Sequence, residues 1–218
     1  MKVTTEGCLF GAWVAAACKA PRAVLDIGTG TGLLALMLAQ TFPAALIDAV
    51  EVDGPAAGEA RGNFGTSPWS ERLRMTHGTV QSFDPPTTFD LIISNPPFYN
   101  QSLRSASRSI NWARHDGELS QEDLLDAICR LLADDGEVFV LYPVPEAERF
   151  EGMAQGRGLS PQRKLKVYDV AGAAPIRVIG QYAKTVTDTV EEDFYIKTGD
   201  GNYTPGFVKL LRDYYLHL

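Results

Sequence analysis

The sequence predicts a doubly wound α/β fold, with a seven-stranded sheet covered by helices on both faces and an antiparallel hairpin at one edge. Segments typical of buried strands alternate with segments of helical periodicity five times along the chain. The last two predicted strands are joined by the short segment Gly172-Ala173-Ala174, which indicates the hairpin. We expect one domain over residues 1–218, in which residues 1–20 form a lead-in and an N-terminal helix.

The elements are predicted from apolar periodicity and from the residues that begin and end helices and strands. Ser120, with Asp123 three residues later, begins a helix with a capping box. Asp135-Gly136 is predicted to turn into the fifth strand, and Pro55 suits the first turn of a helix. The predicted helices span 8–18, 33–38, 55–64, 120–132, a segment from about 145, and 205–218, and the predicted strands span 24–27, 44–50, 73–77, 89–94, 138–142, 165–170 and 176–183.

The composition is that of an ordinary globular protein, with 45% hydrophobic and 22% charged residues. The longest apolar stretch, residues 8–18, is too short to cross a bilayer and no secretory signal is visible, so we expect a cytoplasmic protein without a membrane partner. The three cysteines and three histidines are scattered, so we expect neither a metal site nor a disulfide framework. The net charge of −7 argues against a general polyanion binder but is compatible with a local basic surface.

The first predicted strand ends in the glycine turn Asp26-Ile27-Gly28-Thr29-Gly30-Thr31-Gly32. Three alternate glycines allow a sharp turn and a close approach of the backbone to a ligand. The G-x-G-x-G spacing differs from the G-x-G-x-x-G of dinucleotide folds, and Asp26 would repel a phosphate but accept from a cation. The turn alone is a weak signal, since many α/β proteins have tight turns that bind nothing. With Asp26 it favours a nucleoside that carries a positive group, such as S-adenosylmethionine.

Glu51 ends the second predicted strand, 25 positions after Asp26. In an open α/β sheet, ligands bind outside the carboxyl ends of the strands, where the strand order reverses. A carboxylate at this position can accept from both hydroxyls of a ribose. The alternative, an ordinary acid at a strand end, is the weaker interpretation because Glu51 follows the glycine turn.

The fourth predicted strand ends in Asn95-Pro96-Pro97-Phe98. Two consecutive prolines hold the backbone extended, so the Asn95 side chain and the Pro96 carbonyl are two fixed acceptors at the rim of the same cleft. When these two groups accept both hydrogens of an exocyclic amine, the nitrogen lone pair is freed to attack a methyl group. Phe98 can stack on a planar base or amide. No general base is needed before the attack, so positioning supplies most of the rate. A strand end followed by a purely structural proline turn is the alternative.

With these two motifs the chain resembles the S-adenosylmethionine-dependent amino-methyltransferases, which carry D-x-G-x-G-x-G and N-P-P-[FY]. It is most similar to one branch, the bacterial tRNA(Val) adenine-37 N6-methyltransferases. The similarity extends over nearly the whole chain, through residues 1–3, 5–7, 11–13, 33–40, 48–51, 67–69, 90–97, 113–114 and 214–216. Members usually carry upstream residues, including a phenylalanine-rich piece, that this sequence lacks. We therefore expect a missing lid over the cofactor pocket or a misassigned start codon.

The resemblance implies a Rossmann-like fold and a role for each matching residue. Many relatives have an acid after the third strand for the cofactor adenine, where this chain has Thr79, which can accept one hydrogen bond. The implied cofactor-binding residues are Lys2, Thr5, Asp26, Gly28, Gly30, Glu51, Thr79 and Asn95, and the implied catalytic residues at the target adenine are Asn95, Pro96 and Phe98.

A tRNA substrate would have to move its target base out of the stack to reach this pocket. Arg104, Arg108 and Arg114 follow the proline turn. Together with Pro97 they are the predicted substrate-binding residues. The arginines are expected to grip phosphates beside the flipped nucleotide. A second basic cluster, at 157–166, is interpreted as a solvated face. Three alternatives stay open: a protein glutamine N5-methyltransferase, a ribosomal RNA guanine N2-methyltransferase, and a non-catalytic nucleotide-binding module.

Overall fold

The computed structural model describes residues 3–96 and 119–217. Two short 3-10 turns, Ser70–Arg72 and Val80–Ser82, flank the third strand. The helices are α1 (Thr5–Ala17), α2 (Leu33–Thr41), α3 (Gly54–Thr66), α4 (Gln121–Leu131), α5 (Val144–Gly156) and α6 (Pro205–Leu211), and the strands are β1 (Ala23–Ile27), β2 (Leu46–Glu51), β3 (Leu73–His77), β4 (Phe89–Ser94), β5 (Leu132–Tyr142), β6 (Ser160–Val170), β7 (Arg177–Ala183) and β8 (Val190–Lys197).

The described strands form one sheet in the order β3-β2-β1-β4-β5-β7-β6-β8. Strands β1 to β5 are parallel, β7 is antiparallel to both β5 and β6, and β8 is parallel to β6. The chain builds outward from β1 to β3 and then returns to place β4 on the other side of β1. Ile27 at the end of β1 therefore lies opposite Ser94 at the end of β4. This is the position at which the strand order reverses, where doubly wound sheets bind ligands.

The predicted doubly wound sheet and its antiparallel hairpin are confirmed, but the sheet has eight strands rather than seven. The additional strand, β8, lies outside the hairpin of β6 and β7 and forms the edge. No part of it was predicted as a strand, and its first half contains three consecutive acids at 191–193. Two of these acids are neutralised from the neighbouring strand, since Glu191 pairs with Lys166 and Glu192 with Arg163.

The fifth strand is longer than predicted, and the turn expected before it at Asp135-Gly136 is wrong. Asp135-Gly136 lies inside β5, where the register with β4 shifts between Phe89 and Leu91. A Cβ on Gly136 would stand 2.8 Å from the Phe89 carbonyl oxygen, so the glycine permits the strands to approach at this irregularity.

The two faces of the sheet bury separate hydrophobic clusters, as a doubly wound fold requires. One cluster lies under α1, α2, α3 and α6, and the other under α4 and α5. In β1, Val24 belongs to the first cluster and Leu25 and Ile27 to the second, which is the alternation of a strand covered on both faces. Among the helices of the described residues, none combines the length and the apolar character needed to cross a membrane.

Candidate active site at the ends of β1 and β4

The glycine turn leaves an open surface above its first glycine. Gly28, Gly30 and Gly32 have φ angles of 70°, 59° and 91°, a left-handed conformation that L side chains rarely adopt. A Cβ on Gly28 would meet nothing within 4 Å, whereas one on Gly32 would stand 2.4 Å from a ring carbon of Phe64. The Gly28 N–H donates to the Val50 carbonyl at 2.9 Å. The turn is thus fixed by β2 and α3 and presents bare backbone on its open side.

Asp26 is completely buried next to this turn. Its Oδ2 accepts from Thr29 Oγ1 at 2.5 Å and from the Ala35 N–H of α2 at 3.2 Å. Its Oδ1 has no hydrogen-bond partner within residues 3–96 and 119–217. Burial raises the pKa of the carboxyl to about 7, against the smaller opposing effect of these two hydrogen bonds. A buried oxygen that lacks a donor fits the positively charged ligand group that the sequence predicts here.

Glu51 connects the glycine turn to the end of β2. Its side chain is 8% exposed. One carboxylate oxygen accepts from the Gly30 N–H at 2.8 Å, and the other accepts from the Asp53 N–H at 2.9 Å. Each carboxylate oxygen can accept more than one hydrogen bond. The residue is therefore oriented by the backbone and keeps acceptor capacity for a pair of hydroxyls.

Three further residues were predicted to bind the cofactor, and the structure describes two of them, Thr5 and Thr79. Thr5 is the first residue of α1. Thr79 precedes the 3-10 turn, and its hydroxyl is bonded to the Ser82 hydroxyl at 3.0 Å, so part of its hydrogen-bonding capacity is used locally. Lys2 lies outside the described residues.

Asn95 and Pro96 follow β4 directly, beside the glycine turn on β1. Ser94 is buried, and its hydroxyl donates to the Ile27 carbonyl at 2.9 Å, which joins the two strand ends. Asn95 is half-buried and Pro96 is buried. The structure thus brings the two sequence motifs to neighbouring strand ends. The other predicted residues of this rim and of the substrate loop lie outside the described residues: Pro97, Phe98, Arg104, Arg108 and Arg114.

The first turn of α1 contributes to the site: Thr5 in this turn was predicted to bind the cofactor, but the turn itself was expected to belong to the lead-in before the helix. A Cβ on Gly7 would stand 3.9 Å from Asn95 Nδ2 and 3.7 Å from Leu33 Cδ2. The backbone of α1 therefore lies against both motifs. The available sequence signal was Thr4, whose hydroxyl accepts from the Gly7 N–H at 3.1 Å and caps the helix.

The second basic cluster is occupied by ion pairs, which supports its interpretation as a structural face. Arg163 also lies over the Trp13 ring at 5.0 Å from the centroid. The pairs are Arg157 with Asp126, Arg163 with Glu192, Lys164 with Glu151, and Lys166 with Glu191.

A cavity of about 670 Å³ lies away from the strand ends, between α1, β8 and α6. Trp13, Asp193 and Tyr214 form part of its lining, and residues of the glycine turn do not line it. Within residues 3–96 and 119–217, no cluster of three or more His, Cys, Asp or Glu side chains is arranged to hold a metal ion.

Comparison with known proteins agrees with this geometry. Residues 14–128 match the family model described as Methyltransferase small domain. Among solved structures, the fold is similar to a predicted O-methyltransferase from Agrobacterium tumefaciens, with a TM-score of 0.72 and 15% identity over 94% of this chain and 95% of that one. It is also similar to a putative RNA methyltransferase from Pyrococcus horikoshii, with a TM-score of 0.59 and 20% identity over 84% of each chain. Fold and family model together define a methyltransferase.

Comparison with relatives that match over the full length of this chain identifies the family within the methyltransferases. A protein of Tolumonas auensis is 39% identical over 100% of this chain and 91% of its own length, and one of Bacteroides fragilis is 37% identical over 100% of this chain and 92% of its own. Both carry the name tRNA1(Val) (adenine(37)-N6)-methyltransferase. The chain belongs to this family, which confirms the resemblance drawn from its motifs.

Proposed function

We propose that this protein transfers a methyl group from S-adenosylmethionine to N6 of an adenine in tRNA, at position 37 of valine tRNA as the names of its relatives indicate. One observation carries the proposal: Ile27 lies opposite Ser94, so the glycine turn and Asn95 occupy neighbouring strand ends. We propose that the activity resides in a single domain over residues 1–218 that works in the cytoplasm on tRNA.

The residues around the glycine turn fit the cofactor. S-adenosylmethionine supplies a methyl group on a cationic sulfonium and carries an ammonium group. Asp26 Oδ1, which has no partner within the described residues, suits a cationic group, the bare backbone of Gly28 admits close approach, Gly30 lies in the same turn, and Glu51 accepts from the ribose hydroxyls. Thr5, Thr79 and Lys2 complete the proposed cofactor set.

The proposed catalytic step depends on two acceptors. Asn95 Oδ1 and the Pro96 carbonyl accept the two hydrogens of the adenine amino group, which draws the nitrogen toward tetrahedral geometry and frees its lone pair for attack. Phe98 stacks on the base, and Pro97 keeps this segment extended. The proton leaves after the nitrogen has become cationic, so these residues act by orientation and electrostatic stabilisation.

The proposed substrate residues lie in the segment that follows. Arg104, Arg108 and Arg114 grip the phosphates on either side of the flipped adenine, and the anticodon loop presents this base already partly unstacked. The ion-paired cluster at 157–166 offers a weaker alternative for phosphate, because its cations are already paired with carboxylates.

The proposal is tested by incubating the protein with labelled S-adenosylmethionine and total tRNA from a strain that lacks this modification. Nucleoside analysis is expected to find N6-methyladenosine, and Asn95→Ala is expected to reduce kcat by about 100-fold or more, since it removes one of two positioned acceptors. An unchanged far-UV circular dichroism spectrum and melting temperature serve as the folding control for this variant.

Each alternative gives a different result when the assay is repeated with a protein fraction and with ribosomal RNA. Label in glutamine of a protein fraction, or in guanine of ribosomal RNA, would replace the proposed substrate. Cofactor binding without transfer to any of these fractions would support the non-catalytic module and contradict the proposal.

A further inference from the structure

The Thr29 side chain lies inside the glycine turn and is bonded to the carboxylate of Asp26. Thr29 is 6% exposed. Its hydroxyl donates to Asp26 Oδ2 at 2.5 Å, and its N–H donates to the Val50 carbonyl at 3.2 Å. The backbone of Thr29 is therefore fixed by β2, and this places the hydroxyl at the carboxylate.

The two oxygens of the Asp26 carboxylate have different surroundings. Oδ2 accepts from Thr29 and from the Ala35 N–H at 3.2 Å. Oδ1 is buried and has no partner among the residues that the structure describes. Because a carboxylate is planar, the two hydrogen bonds to Oδ2 also fix the direction in which Oδ1 faces. Without the hydroxyl, a single backbone N–H would hold the group, and the broad last torsion of an aspartate would let it rotate.

The same hydroxyl acts on the charge of Asp26. Burial raises the pKa of this carboxyl to about 7. The hydrogen bond from Thr29 opposes this shift, followed by the smaller effect of the Ala35 N–H, while the charge of Glu51 across the turn adds to it. A hydrogen bond to the charged form favours that form. Removal of the hydroxyl would therefore leave more of the carboxyl protonated at neutral pH.

We propose that Thr29 is the positioning residue of Asp26. Its hydroxyl holds Oδ2 on the protein side, turns Oδ1 toward the ligand and keeps the carboxylate charged, so that it attracts a cationic group. Thr29 acts through Asp26 and needs no contact of its own with the ligand. This inference rests on the proposed function, because the cation concerned is the ammonium group of S-adenosylmethionine.

The experiment compares Thr29→Val, which loses the hydroxyl at nearly constant shape, with Thr29→Ser, which keeps it. Calorimetry measures the Kd for S-adenosylhomocysteine, which carries the same ammonium group, at about pH 6 and about pH 8.5. Thr29→Val is expected to raise the Kd about tenfold at the lower pH and by less than about twofold at the higher, because a roughly tenfold higher proton affinity of Asp26 matters only where much of the carboxyl is protonated. Thr29→Ser is expected to stay within about threefold of wild type at both.

Thr41→Val is the matched control for the loss of a hydrogen-bonded threonine hydroxyl. Thr41 is the last residue of α2, and its hydroxyl donates to the Met37 carbonyl at 3.2 Å and is hydrogen bonded to the Tyr214 hydroxyl at 2.6 Å. This substitution is expected to leave the Kd unchanged at both pH values. Circular dichroism and the melting temperature check the folding of each variant. If Thr29→Val does not fold, Thr29→Ala removes the same hydroxyl with a smaller side chain.

A second measurement needs no ligand. Carbon-13 NMR of the carboxyl groups follows the titration of Asp26 in the free protein, with Asp26→Asn to assign the signal. The midpoint is expected to lie about one pH unit higher in Thr29→Val than in wild type, and close to wild type in Thr29→Ser. An unchanged midpoint in Thr29→Val would overturn the inference.

The binding data give two further ways to contradict it. A Kd that rises by the same factor at both pH values would mean that the hydroxyl supports the shape of the turn and not the carboxylate. An unchanged Kd at the lower pH would mean that Asp26 is oriented without Thr29.

The proposed function and the positioning role fail in different ways. A wild-type protein that binds S-adenosylhomocysteine but methylates no tRNA contradicts the proposed function, while a pH-dependent loss of affinity in Thr29→Val still supports the positioning role. A wild-type protein that methylates tRNA, with cofactor binding unaffected by Thr29→Val, contradicts only the positioning role.

Discussion

Asp26 combines two properties that rarely occur together in a carboxylate without a function. One oxygen accepts from two donors and the other has none in the described part of the chain, although the side chain is completely buried. Burial raises the pKa of this carboxyl to about 7. In the ligand-free protein, the carboxyl is therefore about half protonated near neutral pH, and a cationic ligand group must compete with that proton.

This competition predicts that cofactor affinity depends on pH. The affinity for S-adenosylhomocysteine should rise about tenfold between pH 6 and pH 8, because the fraction of Asp26 without a proton rises by that factor around a pKa of about 7. Calorimetry in buffers of different ionisation enthalpy should detect release of a proton on binding at pH 6. The Asp26→Asn variant should bind more weakly and show no such pH dependence between these values; a wild-type affinity that stays flat would contradict the prediction.

The same shift affects the free protein with a defined sign. A carboxyl whose pKa is higher in the folded state than in the unfolded state binds its proton more tightly when folded. Its contribution to stability is present at acidic pH and is lost as the pH rises through about 7. The melting temperature of ligand-free Asp26→Asn should therefore lose this component of the pH dependence.

The elements that the sequence predicted best are those defined by local pattern. The predicted bounds of β3 and β4 agree with Leu73–His77 and Phe89–Ser94, because each is a short run bounded by polar or proline residues. Strand β8 escaped prediction because the cations that neutralise its acids come from β6, distant in sequence. Local pattern cannot contain that information.

In the candidate site, too, some parts could be predicted from the sequence and others depend on contacts between distant segments. The strand ends that carry Asp26, Glu51 and Asn95 could be predicted, since a doubly wound topology fixes which ends meet. The helical first turn of α1 beside Asn95 could not, because this helix precedes β1 and packs against α6 from the other end of the chain. Contacts between distant segments, rather than motifs, determine this part of the pocket.

The turn between β1 and α2 provides a prediction about stability. Gly32→Ala should destabilise the fold by about 2 to 4 kcal/mol, because φ is 91° and the new methyl group would stand 2.4 Å from Phe64. Urea unfolding measures this loss. Gly58→Ala is the matched control: Gly58 lies on the exposed face of α3 with nothing within 4 Å, so alanine there should stabilise by about 0.5 to 1 kcal/mol. Equal effects of the two substitutions would contradict this account of the turn.

At the scale of the whole molecule, charge is distributed in a way that suits a local grip on RNA. The net charge is −7, and the cluster at 157–166 is paired with carboxylates. General attraction to polyanions is therefore expected to be weak, and we propose that binding of tRNA depends on Arg104, Arg108 and Arg114.

This distribution predicts that Arg108→Ala weakens tRNA binding about tenfold and lowers the slope of log K against log salt by about one, since one phosphate contact is lost. Filter binding at several salt concentrations measures both quantities. Lys166→Ala serves as the control, because Lys166 is already paired with Glu191, and it should change neither quantity appreciably. Affinity for S-adenosylhomocysteine should be the same in both variants; a parallel loss of cofactor binding in Arg108→Ala would argue for misfolding instead.

The edge strand β8 has a consequence for self-association. A sheet whose outermost strands are long, flat and apolar invites strand addition by another chain and leads to aggregates. Here one outermost strand, β3, has only five residues, and the other, β8, carries Glu191, Asp193 and Lys197. Both edge strands therefore disfavour fibre-like growth. The acids that prevented the prediction of β8 as a strand also help to keep separate molecules from pairing their sheets.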